Sequence, residues 1–191
     1  MTEEARLEET GSGLVPVSEG WFVVNVRDAA WRTNEAFGGR CVFEADGRIA
    51  RAYPDIEARP FPELGFRIAV IAPGRPSTVY HAESGQEDFL VLAGECLAII
   101  EGEERSLRAW DFVHCPPGTT HAFVGAGDGP CVLLMTGARH ADGSIVYPES
   151  EVARQHGAGV ELETSSPQEA YASFPHWEPG RPACWDALPW A

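Results

Sequence analysis

Residues 80–94 of the chain read Tyr-His-Ala-Glu-Ser-Gly-Gln-Glu-Asp-Phe-Leu-Val-Leu-Ala-Gly. His81 and Glu83 are two positions apart, so on an extended strand both side chains leave the same face. Glu87 follows a polar stretch with a glycine, which predicts a turn or bulge that returns a third donor toward the first two. The apolar run after it predicts a strand that ends at Gly94. The stretch therefore joins one strand to three side chains of the kinds that bind metals.

A second short stretch, Pro116-Pro117-Gly118-Thr119-Thr120-His121, supplies a fourth donor. Its Pro-Pro-Gly corner predicts a turn immediately before another strand. His121 would enter from that strand and complete a set with His81, Glu83 and Glu87. A lone histidine on a strand is more often a hydrogen-bonded core residue, so the metal hypothesis depends on several donors converging.

The two stretches resemble the two signatures of the cupin family. Glu87, the six residues after it and Gly94 fit the first signature, and Pro116, Gly118 and His121 fit the second. The resemblance implies a jelly-roll barrel, or double-stranded β-helix, that holds a divalent metal and takes a small organic molecule at its mouth. In cupins such sites run dioxygenations, isomerisations, decarboxylations and epimerisations, so the fold does not select the reaction.

Three positions depart from the cupin pattern. Glu83 stands at the second histidine of the first signature, Trp110 at the glycine that opens the second, and Gly125 at its final asparagine. With Glu83 as a ligand, the donors are two carboxylates and two neutral imidazoles, which balance the charge of a divalent cation. That harder donor set favours manganese or iron(II), although zinc and nickel accept the same ligands.

Glu83 has a second interpretation, in which its side chain points to solvent or pairs with a basic residue. His81, Glu87 and His121 then form a site of two histidines and one carboxylate, which has open positions and suits oxygen activation by iron(II). We expect a metal-dependent enzyme of dioxygenase or isomerase type that acts on a small organic molecule. The alternative is a cupin without catalytic activity that binds a small ligand for sensing or storage, or one with a purely structural metal.

The composition limits the partners and the location. The chain has 191 residues, 44% of them hydrophobic, and a formal net charge of -15. This acidity argues against nucleic acid or an anionic membrane as a partner. No run approaches the roughly 20 apolar residues that span a bilayer, and the acidic N-terminus lacks the basic start of a signal peptide. Five cysteines without a Cys-x-x-Cys pair predict reduced, buried thiols. These features predict a cytoplasmic protein.

Short strands separated by turn residues predict an all-β barrel with N-terminal strands and a short helical C-terminal extension. We predict a disordered acidic tail over residues 1–13, the cupin barrel over residues 14–140, and an extension over residues 141–191 that packs on the barrel or on a partner subunit. In the extension, Ser150 and Ser166 have the sequence context of N-caps for two short helices.

Stretches outside the two signatures carry further expectations. Residues 21–26, Trp-Phe-Val-Val-Asn-Val, have strand composition, as do residues 77–81, whereas residues 28–39 predict a loop and residues 45–47 a turn. The apolar segment 21–26 and the tryptophan-rich end of the chain also motivate a homodimer, which would cover apolar surface and edge strands.

Other polar residues near the two stretches are weaker candidates. Tyr80 and Gln86 could touch a substrate but could equally satisfy backbone groups. Cys115 precedes the Pro-Pro-Gly corner and could line a pocket, although core filling is its expected role. His114 lies on a strand whose facing the sequence leaves open. Three histidines outside the predicted barrel are assigned no chemistry, namely His140, His156 and His176.

Overall fold

The computed structural model describes residues 3–140 and 142–191, and most of the regular structure is antiparallel sheet. The predicted all-β fold is therefore confirmed. The strands are β1 (Leu7–Glu9), β2 (Leu14–Pro16), β3 (Ala30–Asn34), β4 (Gly38–Val42), β5 (Leu64–Ile71), β6 (Ala82–Glu83), β7 (Glu87–Ala93), β8 (Glu95–Ile100), β9 (Glu103–Arg108), β10 (Phe112–Cys115), β11 (His121–Ala126), β12 (Cys131–Ala138), β13 (Ile145–Val146) and β14 (Glu178–Pro179). The helices are α1 (Gly47–Ala52), α2 (Glu151–Gln155) and α3 (Pro167–Ala170), with a 3-10 turn at Trp185–Ala187.

Two sheets enclose the main core. Seven strands form one sheet in the order β10-β7-β12-β5-β4-β3-β14, and three form the other in the order β11-β8-β9. Apolar side chains from both sheets meet in one buried cluster. Side chains alternate along a strand, so Arg67 points to the same side of β5 as the buried Ala69, and Glu87 to the same side of β7 as the buried Phe89. Two charged groups therefore face the interior at the end of the apolar cluster.

The end of the chain covers the outer face of the larger sheet. Trp31 on β3 is fully buried, and its ring centroid lies 5.3 Å from that of Trp185 and 5.6 Å from that of Trp190. Leu188 is buried in the same cluster, and β14 pairs with β3. Burial of large apolar rings removes their surface from water, which is the main gain from this packing. The tryptophan-rich end of the chain is therefore covered by packing within the same chain, so it no longer argues for a homodimer. The homodimer stays a prediction that light scattering would test.

The N-terminal part differs from the expected disordered tail. Strand β1 pairs with β2 in the register Leu7 to Pro16. The turn between them is held by the Glu9 carboxylate, which accepts hydrogen bonds from the backbone N–H groups of Gly11 at 2.9 Å and Gly13 at 3.0 Å. These contacts satisfy backbone donors within the turn. They could not be predicted from the acidic composition of the segment. Residues 1 and 2 lie outside the described residues, and the division of the chain into three parts stays a prediction.

The strand predicted at residues 21–26 is absent, and a strand lies in the loop predicted at residues 28–39. Residues 21–26 are extended, but within the described residues their only ladder contact is a bridge from Trp21 to Glu4. The strand prediction there is wrong, because Val24 and Val26 pack on the core while no neighbouring strand pairs with them. The predicted loop 28–39 instead contains β3, which pairs with β4 and with the distant β14.

Two local signals explain further differences. Gly38 has a φ of +82°, and a Cβ there would lie 2.2 Å from the carbonyl oxygen of Val70, so the glycine permits close strand packing and does not end a loop. The predicted turn at residues 45–47 is the start of α1. The Asp46 carboxylate accepts a hydrogen bond from the backbone N–H of Ile49 at 3.1 Å, as an N-cap does.

The two helices of the C-terminal extension begin where predicted. The hydroxyl of Ser150 accepts a hydrogen bond from the backbone N–H of Ala153, and that of Ser166 from the backbone N–H of Glu169. Ser166 and Glu169 have the Ser-x-x-Glu spacing of a capping box, but only half of it forms at α3, because the Glu169 carboxylate accepts instead from the hydroxyl of Thr164. Among the described residues, none of the helices has the length and apolar character that a bilayer crossing needs.

Candidate metal centre

The two candidate histidines face each other across one antiparallel bridge. The backbone N–H of His81 donates to the carbonyl oxygen of His121 at 3.1 Å, and the N–H of His121 donates to the carbonyl oxygen of His81 at 2.8 Å. Residues paired in this way carry their side chains on the same face, and the two ring centroids are 4.8 Å apart. Residues 77–81, predicted as a strand, contribute only this bridge and are otherwise irregular. One pair of backbone hydrogen bonds therefore sets the spacing of the two rings.

Both imidazoles are oriented through their Nδ1 atoms. Nδ1 of His81 lies 2.7 Å from the carbonyl oxygen of Val79, and Nδ1 of His121 lies 3.1 Å from that of Thr119. A carbonyl oxygen only accepts hydrogen bonds, so each ring carries its proton on Nδ1 and presents an unprotonated Nε2. Burial lowers the pKa of His81 and of His121 to about 4. Both rings are therefore neutral at pH 7, the form in which imidazole binds metals.

Glu87 brings a carboxylate to the same point from the start of β7. Its Oε2 lies 3.4 Å from Nε2 of His121, and one donor atom from each of His81, Glu87 and His121 lies within 4.8 Å of the others. Burial, together with the charge of Glu83, raises the pKa of Glu87 to about 8. A carboxylate held here without a cation is costly, and a bound cation would reverse that cost. The donor set of this cluster thus fits a divalent metal ion.

Glu83 lies beside this cluster. Its Oε1 is 3.9 Å from Nε2 of His81, and its side chain is 39% exposed. It lines the same cavity as the three clustered residues, as the two-residue spacing from His81 predicts. The structure therefore brings His81, Glu87 and His121 together and places Glu83 at their edge, beside His81.

The cluster lies in a cavity of about 210 Å³. Pockets for drug-sized ligands are usually about 300–1,000 Å³, so this one suits a smaller molecule. Its apolar walls include Phe89, Phe123 and Met135, which separate the donors from the apolar core below. Gly65 and Gly137 also line it, and a Cβ at these positions would contact the Arg139 guanidinium and the Glu87 side chain, respectively.

Three charged residues of the cavity wall were missed by the sequence reasoning. Arg67, Arg139 and Glu44 all line the cavity. Glu44 is buried, its carboxylate pairs with Arg139 and accepts from the backbone N–H of Phe61, and burial raises its pKa. Arg67 could have been found from the two-residue period of β5. It lies two positions from the buried Ala69, and so on the same inward side of an apolar strand. Glu44 and Arg139 come from segments far apart in sequence, so no spacing pointed to them.

The residues that precede the two histidines join their stretches. The hydroxyl of Tyr80 lies 2.5 Å from that of Thr120 and accepts from the backbone N–H of Gly102 at 2.9 Å. The Thr120 hydroxyl in turn donates to the Glu101 carboxylate at 2.9 Å. Tyr80 does not line the cavity, so these contacts give it a positioning role and not a contact with substrate.

The other weak candidates lie away from the cavity. Gln86 donates to Asp88 on the surface, and His114 pairs with the same carboxylate at 2.6 Å outside the barrel. Cys115 is buried in the apolar cluster, where burial raises the pKa of its thiol to about 11. His156 pairs with Glu104. None of these side chains lines the cavity of the metal cluster.

The comparisons with known proteins agree with this architecture. The Cupin domain family matches residues 67–137. The structure of a cupin-superfamily sugar phosphate isomerase from Silicibacter pomeroyi is 16% identical, with a TM-score of 0.50 over 86% of this chain and 98% of that one. The polyketide cyclase RemF from Streptomyces resistomycificus is 15% identical, with a TM-score of 0.47 over 61% and 78% of the two chains.

A third structure, DMSP lyase DddQ from Ruegeria pomeroyi, is 28% identical, with a TM-score of 0.40 over 47% of this chain and 46% of that one. The match thus spans less than half of the lyase, and no curated protein matches the chain at a significant level. Likeness at this level speaks for fold and not for reaction. The matched cupin domain covers the part of the chain that carries His81, Glu87 and His121, and the fold is similar to that of a cupin-superfamily structure.

Proposed function

We propose that this protein is a metal-dependent enzyme that acts on a small organic molecule, with dioxygenase or isomerase chemistry. The observation that carries the proposal is the convergence of two neutral imidazoles and one buried carboxylate on a small cavity. Both imidazoles are held by backbone carbonyl oxygens with Nε2 free to coordinate. A buried carboxylate whose pKa is raised, next to two neutral imidazoles in a cavity, is typical of functional sites.

His81, Glu87 and His121 would hold the metal, with Glu83 as the fourth ligand. When bound, a divalent metal supplies Lewis acidity toward a substrate oxygen and, if it is iron(II), a site for dioxygen. The chain supplies the remaining functions. Phe89, Phe123 and Met135 exclude water from the inner side, and the small cavity limits the orientations that a substrate can take.

Glu83 would decide between the two kinds of chemistry. If it coordinates, two carboxylates neutralise the cation and the metal is a weaker Lewis acid. If it stays uncoordinated, its partly exposed carboxylate stands next to the metal position and could accept a proton from a substrate, as an isomerase requires. Consumption of dioxygen during turnover would identify the dioxygenase, and exchange of substrate hydrogen with solvent would identify the isomerase.

The first test is elemental analysis of protein purified without an affinity tag or chelator. We expect about one manganese or iron per chain in the native protein. His121→Ala should weaken metal binding by at least about 100-fold, because even outer-shell partners of a ligand are worth 10–100-fold. The matched control is His114→Ala, which removes a histidine that pairs with Asp88 outside the barrel.

Circular dichroism should show that His121→Ala keeps the sheet content. Retention of stoichiometric metal in His121→Ala, or its loss in His114→Ala, would show that the ligand set is wrong. Absence of metal from the native protein after reconstitution with manganese, iron(II), zinc and nickel would contradict the proposal. It would favour a cupin without catalytic activity that binds a small ligand.

A further inference from the structure

Glu101 has a backbone conformation that glutamate rarely adopts. Its φ is +51°, and among the described residues Trp110 is the other one besides glycine with a positive φ. With Gly102, whose φ is +78°, it forms the two-residue turn across which Ile100 pairs with Glu103. Turns with a positive φ at both residues favour Asn-Gly, Asp-Gly or Gly-Gly, because a longer side chain is strained there. The turn itself therefore gives no reason for a glutamate at this position.

The contacts of the Glu101 side chain give such a reason. Its Oε1 atom accepts a hydrogen bond from the backbone N–H of Thr120 at 2.6 Å and another from the Thr120 hydroxyl at 2.9 Å. The backbone N–H of Glu101 donates to the carbonyl oxygen of Thr120 at 3.0 Å. Three hydrogen bonds thus hold Thr120, which immediately precedes His121, the first residue of β11.

The same contacts extend to the residue before His81. The Thr120 hydroxyl gives its only proton to Glu101, so the Tyr80 hydroxyl, 2.5 Å away, donates to Oγ1 of Thr120. Tyr80 in turn accepts from the backbone N–H of Gly102 at 2.9 Å. These hydrogen bonds form a closed path that leaves the turn and returns to it, and the members of such a path strengthen one another. One turn therefore holds the residues that precede both histidines.

This path lies on the side of β11 that faces away from the metal cavity. Tyr80 packs with Ala122 and Val124, which alternate along the strand with the cavity-lining Phe123. His121 lines the cavity on the same side as Phe123. The path can therefore act on a bound metal only through the backbone that carries the histidines.

Two links between the same two backbone segments restrict them more than one link does. The bridge between His81 and His121 fixes the distance between the segments at one point. The link between Tyr80 and Thr120, one residue earlier in each segment, adds a second point. Two points limit the rotation of one segment against the other, and with it the direction in which each Nε2 atom points. Partners outside the ligand shell that orient ligands in this way change metal affinity by about 10–100-fold.

We infer that Glu101 is a positioning residue of the metal centre, which holds the two histidine ligands in their coordinating geometry through Thr120 and Tyr80. This inference rests on the proposed metal-dependent function, because it gives Glu101 a role only toward a bound metal. It also accounts for the strained conformation, since strained residues cluster at functional sites.

Two variants of equal charge test the inference, namely Glu101→Gln and Glu101→Asn. Glutamine keeps the length of the side chain and an oxygen that accepts from Thr120, whereas asparagine is one methylene shorter and does not reach it. Competition with a fluorescent chelator measures the manganese affinity of each variant. This affinity should stay within about 3-fold of the native value in Glu101→Gln and should fall about 10-fold in Glu101→Asn.

Urea denaturation of the metal-free variants separates positioning from a merely structural role. Asn-Gly is the preferred pair for this turn, so Glu101→Asn should be at least as stable as Glu101→Gln. A structural role would make metal affinity follow stability. The inference instead predicts that asparagine gives the weaker metal site on a fold that is no less stable.

The control variant is Glu103→Asn, which shortens and neutralises an exposed carboxylate of the same hairpin that pairs with Arg105. It should bind manganese as the native protein does. Equal manganese affinity of Glu101→Gln and Glu101→Asn would overturn the inference and leave the metal proposal intact. So would an order of affinities that follows the order of stabilities, or an equal loss of affinity in Glu103→Asn and Glu101→Asn. If manganese fails to bind the native protein, the proposed function fails and the inference fails with it.

Discussion

The Glu83 carboxylate, 3.9 Å from Nε2 of His81, is the residue whose role most changes the expected chemistry. If it is the fourth ligand, Glu83→Gln should weaken manganese binding by about 10–100-fold, because an amide oxygen of the same shape lacks the charge. Competition with a fluorescent chelator measures this affinity. Glu103→Gln is the control, since it removes an exposed carboxylate that pairs with Arg105 at the β9 hairpin.

An unchanged affinity in Glu83→Gln would leave His81, Glu87 and His121 as a three-residue site. The position of Glu83 at the cavity wall would then favour its role in proton transfer.

Trp110 carries a backbone conformation that suits glycine. Its φ is +77°, and its side chain is 74% exposed, so little packing offsets the strain. The left-handed conformation costs a residue with a Cβ about 1–2 kcal/mol. Trp110→Gly should therefore raise the free energy of unfolding by about 1 kcal/mol, measured by urea denaturation, after allowance for the greater freedom of glycine in the unfolded chain.

The matched control for Trp110→Gly is Trp110→Ala, which removes the ring but keeps the Cβ. If alanine stabilises the protein as much as glycine does, exposure of the ring and not backbone strain is the cause.

At the scale of elements, strand β11 runs too close to its neighbour for a side chain at Gly125. A Cβ there would lie 2.2 Å from the carbonyl oxygen of Ala72. Gly125→Ala should lower the free energy of unfolding by about 1–3 kcal/mol through overpacking. Gly129→Ala is the control, since nothing lies within 4 Å of its Cβ position.

A stability of Gly125→Ala equal to that of Gly129→Ala would mean that β11 can move away from Ala72. His121 lies on the same strand, so a movement of β11 in Gly125→Ala should also change the metal content of this variant.

The sequence allowed the prediction of elements whose determinants are local. Strand β7 follows the predicted polar turn and ends directly before Gly94, which has a φ of +74°. Helices α2 and α3 were predicted from caps within four residues of their starts. Strand β3 pairs with the adjacent β4 and with the distant β14, and it was missed because its mixed sequence, Ala-Trp-Arg-Thr-Asn, has no clear strand pattern.

In the candidate site, too, the residues that lie in short local motifs were predictable from the sequence. The signatures placed His81, Glu87 and His121 in one cluster, because short motifs fix them relative to their own strands. Arg67, Arg139 and Glu44 complete the cavity from strands and loops outside the motifs. Their proximity follows from sheet order, which spacing along the chain does not express.

At the scale of the whole molecule, the site should give the metal-free protein a stability maximum near pH 6.5. His81 and His121 have a pKa of about 4, below the ordinary value of 6.5, so the unfolded chain takes up protons that the folded one refuses. Their contribution is present above pH 6.5 and is lost as the pH falls toward 4. Glu87 has a pKa of about 8, so its contribution is lost as the pH rises from 4.5 to 8. Two imidazoles outweigh one carboxyl below pH 6.5.

Thermal unfolding in chelator at pH 5, 6.5 and 8 checks this profile. Excess manganese should remove the decline above pH 6.5, since the bound carboxylate is already ionised. Glu87→Gln should remove the same decline without metal, and it isolates this group from the many surface acids. A native, metal-free protein that is as stable at pH 8 as at pH 6.5 would contradict the assignment.

The tryptophan contacts across the larger sheet bear on how the protein is made. Trp31 is synthesised about 150 residues before Trp185 and Trp190, which cover it. At roughly 5–20 residues per second, the outer face of β3 waits for about 10–30 seconds before its cover exists. A nascent chain halted before Pro179 would also lack the strand that pairs with β3. Until residues 178–190 have been made, the outer face of β3 stays uncovered, and a chain stalled before them is a substrate for chaperones that bind apolar surface.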